Sequence, residues 1–279
     1  MTENNSLDLT KTKFKSTRPD SITPIEYDQS KPRLGRRESE PHSDDVSYLH
    51  DVLTTNFPNS RTLWDLHHYF QLNDIKIDLQ FDISFFLNWS YPKTLSSYNA
   101  SEFNNRVPDL VINVFSKSTW RADIGEHVDL CEALKIPVYI VYSPYFVASK
   151  LYKPPFVRIY KLVDDRYIHY DYREITAMEG EKLNPDKIIE LGEKIPFRIG
   201  LMQRKKKHYN DELLYRLIII DKNENRILPT RYELAQQKLI KTEKRATEAE
   251  KRASEAEKEI KNLKMKIKDL ETLLDKYTK

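Results

Sequence analysis

The sequence predicts an α/β fold: a mixed sheet flanked by helices, followed by a long C-terminal coiled-coil helix. Three observations carry this reading. Two apolar runs, VPDLVINVFS (107–116) and IPVYIVYSP (136–144), bracket the helical pattern DIGEHVDLCEALK (123–135). Strand, helix and strand in so short a stretch imply a parallel pair joined by a crossover. Further apolar runs beyond residue 155 add strands with turn signals between them. From Ala246 onward, apolar residues recur at alternating steps of three and four, which is the period of a coiled coil.

Residues 1–43 are rich in Ser, Thr, Pro, Asn and charges without apolar periodicity, and are expected to form a disordered arm. Its basic cluster, Lys31, Arg33, Arg36 and Arg37, is nearly balanced by Asp20, Glu26, Asp28, Glu38 and Glu40. The α/β domain is expected over 44–230 and the coiled-coil helix over 231–279. DDVSYLHDVLTTNF (44–57) reads as an amphipathic helix opened by acids, which suit a helix N-terminus. SRTLWDLHHYFQLN (60–73) reads as a second helix, with Ser60 as N-cap and Leu63, Leu66 or His67, and Phe70 on one face. FDISFFLNW (81–89) is an aromatic-rich buried strand. In the helix over 123–135, Ile124, Val128, Cys131 and Leu134 fall at helical spacing. FVRIYKL and YIHYDY form a hairpin around Asp164 and Asp165, and IPFRIGLM and LLYRLIIID supply the later strands.

In the C-terminal segment, Ala246 takes heptad position a and Ala249 position d. Ala253, Ala256, Ile260, Leu263, Ile267, Leu270, Leu274 and Tyr277 continue the seam. Ile at a with Leu at d favours parallel dimers. The flanking charges agree, because Arg245–Glu250, Arg252–Glu257, Glu259–Lys264 and Lys266–Glu271 would each meet opposite in sign across a parallel pair. A parallel homodimer seamed by Ile260, Leu263, Ile267, Leu270 and Leu274 is the expected partner arrangement. DNA, and a different protein through the same helix, are the other partners that the sequence admits.

The chain has 279 residues with 46 Lys/Arg and 43 Asp/Glu, a net charge of +3. Residues 241–279 hold 12 Lys/Arg and 9 Asp/Glu, so the remainder carries 34 of each and is neutral. A neutral core is not built to coat nucleic acid, which leaves local patches for any such binding. Arg204, Lys205, Lys206 and Lys207 form one such basic run, next to His208 and Tyr209. Five scattered glycines exclude the glycine-rich loops that cradle nucleotide phosphates. One cysteine, Cys131, excludes an intrachain disulfide and a cysteine-built zinc site. With no apolar run of membrane-span length and no signal-peptide pattern at the start, a cytoplasmic location away from membranes is expected.

Strand alternation places Val107, Asp109, Val111, Asn113 and Phe115 on one face of the 107–116 strand. Two polar groups on an otherwise apolar face require partners. Asp82 opens the preceding strand, and Asp123 and His127 lie one helical turn apart. The order of elements would bring Asp82, Asp109, Asn113 and His127 into one cleft. A buried Asp is otherwise an ordinary cap or loop hydrogen-bond acceptor, and that reading stands beside the first.

On these residues the sequence resembles a family. VPDLVINVFSKST, then Asp123 and its helix, then IPVYIVYSP and FVRIYKL, are similar to the restriction endonuclease family abundant in cyanobacteria, within the PD-(D/E)xK nuclease superfamily. The resemblance spans residues 80–230 and includes ILPTRYELAQQ ahead of the charged helix. It implies a restriction-endonuclease-like fold in which two acids hold Mg²⁺ and a lysine helps to polarise water or phosphate. By position, Asp82 and Asp109 match the family's metal-binding aspartates. Asn113 stands where the family has Glu, His127 where it has Lys, and Ser143 where it has the Asp of a VDP turn. Asn removes an anionic ligand and His removes a fixed cation. The resemblance therefore implies catalytic positions Asp82, Asp109, Asn113 and His127, with Mg²⁺ as cofactor if active and none otherwise, and with cleavage weak or lost. The alternative is a non-enzymatic coiled-coil assembly or adaptor protein that uses the inactive nuclease fold as a scaffold.

Overall fold

A computed structural model describes residues 39–91, 93–208 and 210–277. The chain divides into two units, 1–228 and 229–279. The expected arm lies outside the described residues up to residue 38. Its last residues already belong to α1 (Glu40–Asn56), whose first turn buries Pro41 and His42.

Two long strands follow, β1 (Arg61–Leu72) and β2 (Ile75–Phe86), paired antiparallel from end to end with one gap. The helix expected over 60–73 is therefore a strand. Its Leu63, Leu66 and Phe70 fit a helical stripe, but Leu66, His68, Phe70 and Leu72 also alternate, and the alternation wins because β2 is there to pair with. Asn73 and Asp74, at φ 48° and 64°, make the two-residue left-handed turn that suits a hairpin. The adjacent histidines, His67 and His68, consequently point to opposite faces. The strand expected at 81–89 starts earlier, at Ile75, and ends at Phe86.

After β3 (Tyr98–Asn99) come β4 (Leu110–Val114), the short helices α2 (Trp120–Asp123) and α3 (Glu126–Ala133), and β5 (Val138–Ser143). β4 and β5 pair in parallel, as the strand–helix–strand order predicts. The helix expected to run unbroken over 123–135 is interrupted at Ile124 and Gly125. Gly125 turns there with φ −124° and ψ −99°, and a Cβ would lie 3.1 Å from the Arg121 carbonyl oxygen. β6 (Phe156–Val163) and β7 (Arg166–Tyr172) form the hairpin around Asp164 and Asp165. The resulting sheet has the order β3-β1-β2-β4-β5-β6-β7. A second sheet contains β8 (Ala177–Met178), β9 (Phe197–Lys207) and β10 (Leu213–Asp221), in the order β10-β9-β8.

The central strands are covered on both faces, which explains their continuous apolar runs. On one face, Ile112 and Val114 of β4 and Ile140 of β5 pack with Leu49 and Val52 of α1 and with Ile199, Leu201, Leu217 and Ile219 of the second sheet. On the other, Val111 and Phe115 meet Tyr139, Leu130 and Cys131. Asn113 shares the second face.

β1 and β2 change face together. Ile77, Leu79 and Phe81 belong to the α3-side core, whereas Ile83 and Phe85 belong to the α1-side core. In β1, Leu63 faces the α3 side before the change, and His68 and Phe70 do so after it. The two changes meet at Asp65 and Asp82, which face each other without a ladder pair between Trp64–Ile83 and Leu66–Phe81. Asp65 is left-handed there, with φ 48°. Asp82 therefore marks the point where β2 passes from a half-exposed hairpin into a strand buried on both faces.

The second unit is described by α4 (Arg231–Tyr277), a single helix of 47 residues. Among the described residues no helix is long and apolar enough to cross a membrane.

His68 generates a pH prediction. The ring is fully buried; Nδ1 donates to the Leu66 carbonyl oxygen at 2.7 Å, which leaves Nε2 to accept from Ser84 Oγ at 2.8 Å. Burial lowers its pKa from 6.5 to about 4. The folded state thus holds a neutral imidazole that the unfolded chain protonates below pH 6.5. Stability is fully present above that pH and declines as pH falls toward 4, by about 3 kcal/mol for a shift of this size. Urea denaturation of the natural protein and His68→Gln at about pH 7 and pH 4.5 should show a clearly shallower acid loss in the variant.

Candidate functional site

The ladder between β2 and β4 runs through Phe85–Leu110, Ser84–Val111 and Ile83–Ile112, then stops. The next two residues, Asp82 and Asn113, replace it with their side chains. The Asp82 N–H donates to Asn113 Oδ1 at 3.2 Å, and the Val114 N–H donates to Asp82 Oδ2 at 2.7 Å. Each side chain closes a backbone donor of the opposite strand, which a buried sheet requires.

Asn113 is 3% exposed. Its Nδ2 donates to Asp123 Oδ1 at 2.8 Å and to the Tyr139 hydroxyl at 3.3 Å, and that hydroxyl donates to the Asp123 carbonyl oxygen at 2.8 Å. His127 Nδ1 faces Asp123 Oδ1 at 3.2 Å. The break at Gly125 has therefore not separated Asp123 from His127. His42 reaches in from α1 and places Nε2 3.2 Å from Asp82 Oδ2. Two Asp–His pairs thus flank one amide.

The amide orientation is dictated by its neighbours. A backbone N–H on one side requires an acceptor, and a carboxylate on the other requires a donor. Burial pushes the Asp82 carboxyl above the usual carboxylate range and the charge of Asp123 adds to this, while His42 and the Val114 N–H pull it down. Burial likewise holds Tyr139 as a neutral phenol and Cys131 as a thiol. Asp123 is 2% exposed, and its Oδ2 has no hydrogen-bond partner among the described residues.

The structure brings together three of the four expected catalytic residues: Asp82, Asn113 and His127. It does not bring Asp109 to them. Asp109 lies four residues before Asn113, immediately ahead of β4 with its N–H donating to the Phe85 carbonyl oxygen at 2.9 Å, about 13 Å away at the rise of a β-strand. There its Oδ2 accepts from the Leu87 N–H at 2.8 Å and lies 3.7 Å from Arg106. Asp82 and Asp109 are thus too far apart to share a cation whose ligands sit about 2.0–2.6 Å away. Alternation assigns both residues to one face of an extended chain, but a shared face is not a shared site. Ser143 ends β5 with its hydroxyl donating to the Tyr145 carbonyl oxygen at 2.7 Å.

The donor set does not fit Mg²⁺. The Asn113 carbonyl oxygen is turned to a backbone N–H, and its NH₂ face, which cannot ligate a metal, points into the cluster. Among the described residues no group of three or more His, Cys, Asp or Glu is placed to hold a metal ion.

The basic run is the end of β9. Arg204 lies 3.6 Å from Asp44 and 3.9 Å from Asp45, and Lys206 pairs with Glu40 at 2.5 Å. Lys205 donates its backbone N–H to Glu179 at 2.7 Å, and Lys207 is exposed. Alternation along the strand sends Arg204 and Lys206 to the acidic start of α1, so these two of the run's four residues are intramolecular charge partners.

Sequence reasoning missed His42, Asp123 and Tyr139 as members of the cluster. The spacing of Asp123 and His127 signals their proximity. His42 carries no local signal, because it meets Asp82 across 40 residues.

No family model matches the chain, and no curated protein matches it. Among solved structures the chain is similar to a DUF820 nuclease candidate from Anabaena variabilis, at 17% identity and a TM-score of 0.36. The similarity covers 50% of this chain and 70% of that one.

The geometry makes Asn113→Asp a sharp probe. The substitution keeps the shape but sets a carboxylate 2.8 Å from Asp123 Oδ1, where a donor now stands. It should cost on the order of 2–4 kcal/mol at pH 7. The two carboxyls would share a proton in the folded state, so the difference from the natural protein should shrink as pH falls below about 5. Urea midpoints at about pH 7 and 4.5 check both signs.

Proposed function

We propose that residues 40–228 form a nuclease-like domain that has lost Mg²⁺-dependent phosphodiester cleavage and serves as a non-enzymatic scaffold. The resemblance of 80–230 to the restriction endonuclease family supports the nuclease descent, and the mixed sheet is compatible with it. The observation that carries the loss of cleavage is the Asn113 amide. It occupies the position where the family has a metal-binding glutamate, and it is hydrogen-bonded with its donors toward Asp123. His127, at the position of the family's lysine, faces the same carboxylate instead of supplying a fixed cation.

The exchange of Glu for Asn and of Lys for His removes one negative and one positive charge together. A buried ion network can be neutralised as a unit at little cost, whereas removal of one partner strands the other. The neutral core and the intramolecular pairing of Arg204 and Lys206 favour a scaffold over a DNA-coating role.

A plasmid-nicking assay with Mg²⁺ and with Mn²⁺ tests this. The natural protein should leave supercoiled DNA intact, and Asp82→Ala should be indistinguishable from it. Robust nicking that disappears in Asp82→Ala would overturn the proposal. The double variant Asn113→Glu, His127→Lys should be the first to gain measurable metal-dependent nicking, because each change restores one of the two charges.

A further inference from the structure

We infer that α4 pairs with α4 of a second copy of this chain as a parallel, two-stranded coiled coil running from Tyr232 to Tyr277. This goes beyond the scaffold reading and does not depend on it. The helix is continuous from Arg231 to Tyr277. That continuity carries the heptad seam upstream of Ala246, through Thr242, Leu239 and Ala235 to Tyr232, without a stutter. Among the described side chains, the large residues of the seam are open to solvent: Tyr232, Leu239, Ile260, Leu263, Ile267, Leu270 and Leu274 range from 52% to 71% exposed. An apolar stripe that long on a single helix needs a partner to cover it.

The charges name the partner. In a parallel pair of identical helices, each g residue meets the e residue five positions on in the other chain. The continuous helix yields five such charged pairs: Lys238–Glu243, Arg245–Glu250, Arg252–Glu257, Glu259–Lys264 and Lys266–Glu271. All five are opposite in sign, and symmetry makes each occur twice. A fully overlapped antiparallel pair brings e against e and g against g. It sets Glu250 against Glu257 and Arg245 against Lys266, and only Glu243–Lys264 and Arg252–Glu259 remain attractive. The sequence therefore matches itself in parallel and partly repels itself otherwise. Ile at a with Leu at d over 260–270 selects two strands over three or four. The Ala246–Ala256 stretch lets the helices approach closely but buries little, so adhesion rests on the last heptads.

Sedimentation equilibrium of the full chain at tens of micromolar should give twice the 33.2 kDa of one chain. The double variant Leu263→Asp, Ile267→Asp should sediment as a monomer with the thermal transition of the first unit unchanged. Orientation is read by Leu263→Cys. A parallel pair brings the two thiols together and should cross-link on mild oxidation, whereas full antiparallel overlap separates them by about 25 Å along the axis. Cys131 is buried and does not compete. Self-pairing is read by charge: Glu243, Glu250 and Glu257 changed together to Lys should lose the dimer, and mixing with Lys238, Arg245 and Arg252 changed to Glu should restore a heterodimer. A natural chain that stays monomeric at these concentrations overturns the inference, whatever other protein it binds. So does a trimer or tetramer, or a dimer whose Leu263→Cys form does not cross-link.

Discussion

The separation of β2 from β4 at Asp82 and Asn113 is the constraint around which the candidate site is arranged. Both strands lie inside the seven-stranded sheet, so water cannot satisfy a backbone group left open there. The Asn113 carbonyl takes the Asp82 N–H, and the Asp82 carboxylate takes the Val114 N–H. Once Oδ1 is committed to that task, the NH₂ of Asn113 must point the other way, and only an acceptor can face it. Asp123 is that acceptor, and its carboxylate in turn holds His127. One irregularity in strand pairing thus fixes the orientation of four side chains on β2, β4, α2 and α3. The parity change at Asp65 and Asp82 is its counterpart on the other side of β2, which places the aspartate where the strand is neither fully paired nor fully exposed.

Buried acids around this sheet are compensated in different ways. Asp45, on α1, lies 2.9 Å from Arg216 and accepts from the Tyr142 hydroxyl at 2.9 Å, with Arg204 beyond. Burial still raises its carboxyl, but permanent cations stand against it. Asp82 and Asp123 have imidazoles instead, His42 and His127, whose charge is conditional on pH. Fixed guanidinium groups are what a static structural pair needs. Imidazoles are adequate where the group between the two carboxylates is a neutral amide that donates to one of them.

The central strands, the β4–β5 parallel pair, the β6–β7 hairpin and the periodicity of the last helix were legible in the sequence, because each is set by a pattern shorter than its own length. The 60–73 segment was not. Leu63, Leu66 and Phe70 satisfy a helical stripe while Leu66, His68 and Phe70 satisfy a strand, and the choice is made by pairing with β2. In the site, Asp82, Asn113 and His127 were found because strand order and helical spacing bring them together. Asp109 was misplaced because alternation gives the face of a strand and not the distance along it. His42 was invisible, since its partner is set by how α1 docks on the sheet.

The charge excess of the chain has a similar two-sided history. Alone, a run of lysines and arginines near the C-terminus suggests a polyanion as partner. α4 carries 13 Lys/Arg and 10 Asp/Glu, a net +3 over 47 residues, or about 70 Å of helix. Duplex DNA presents one negative charge for roughly every 1.7 Å of its axis, so this helix is far too weakly charged to track it. What distinguishes α4 is the order of its charges, with g positions mostly basic and e positions mostly acidic beside a seam whose large side chains are open to solvent. Order at that period has no effect on the attraction of a helix for a polyanion, which depends on net charge density. It acts only between helices held in register.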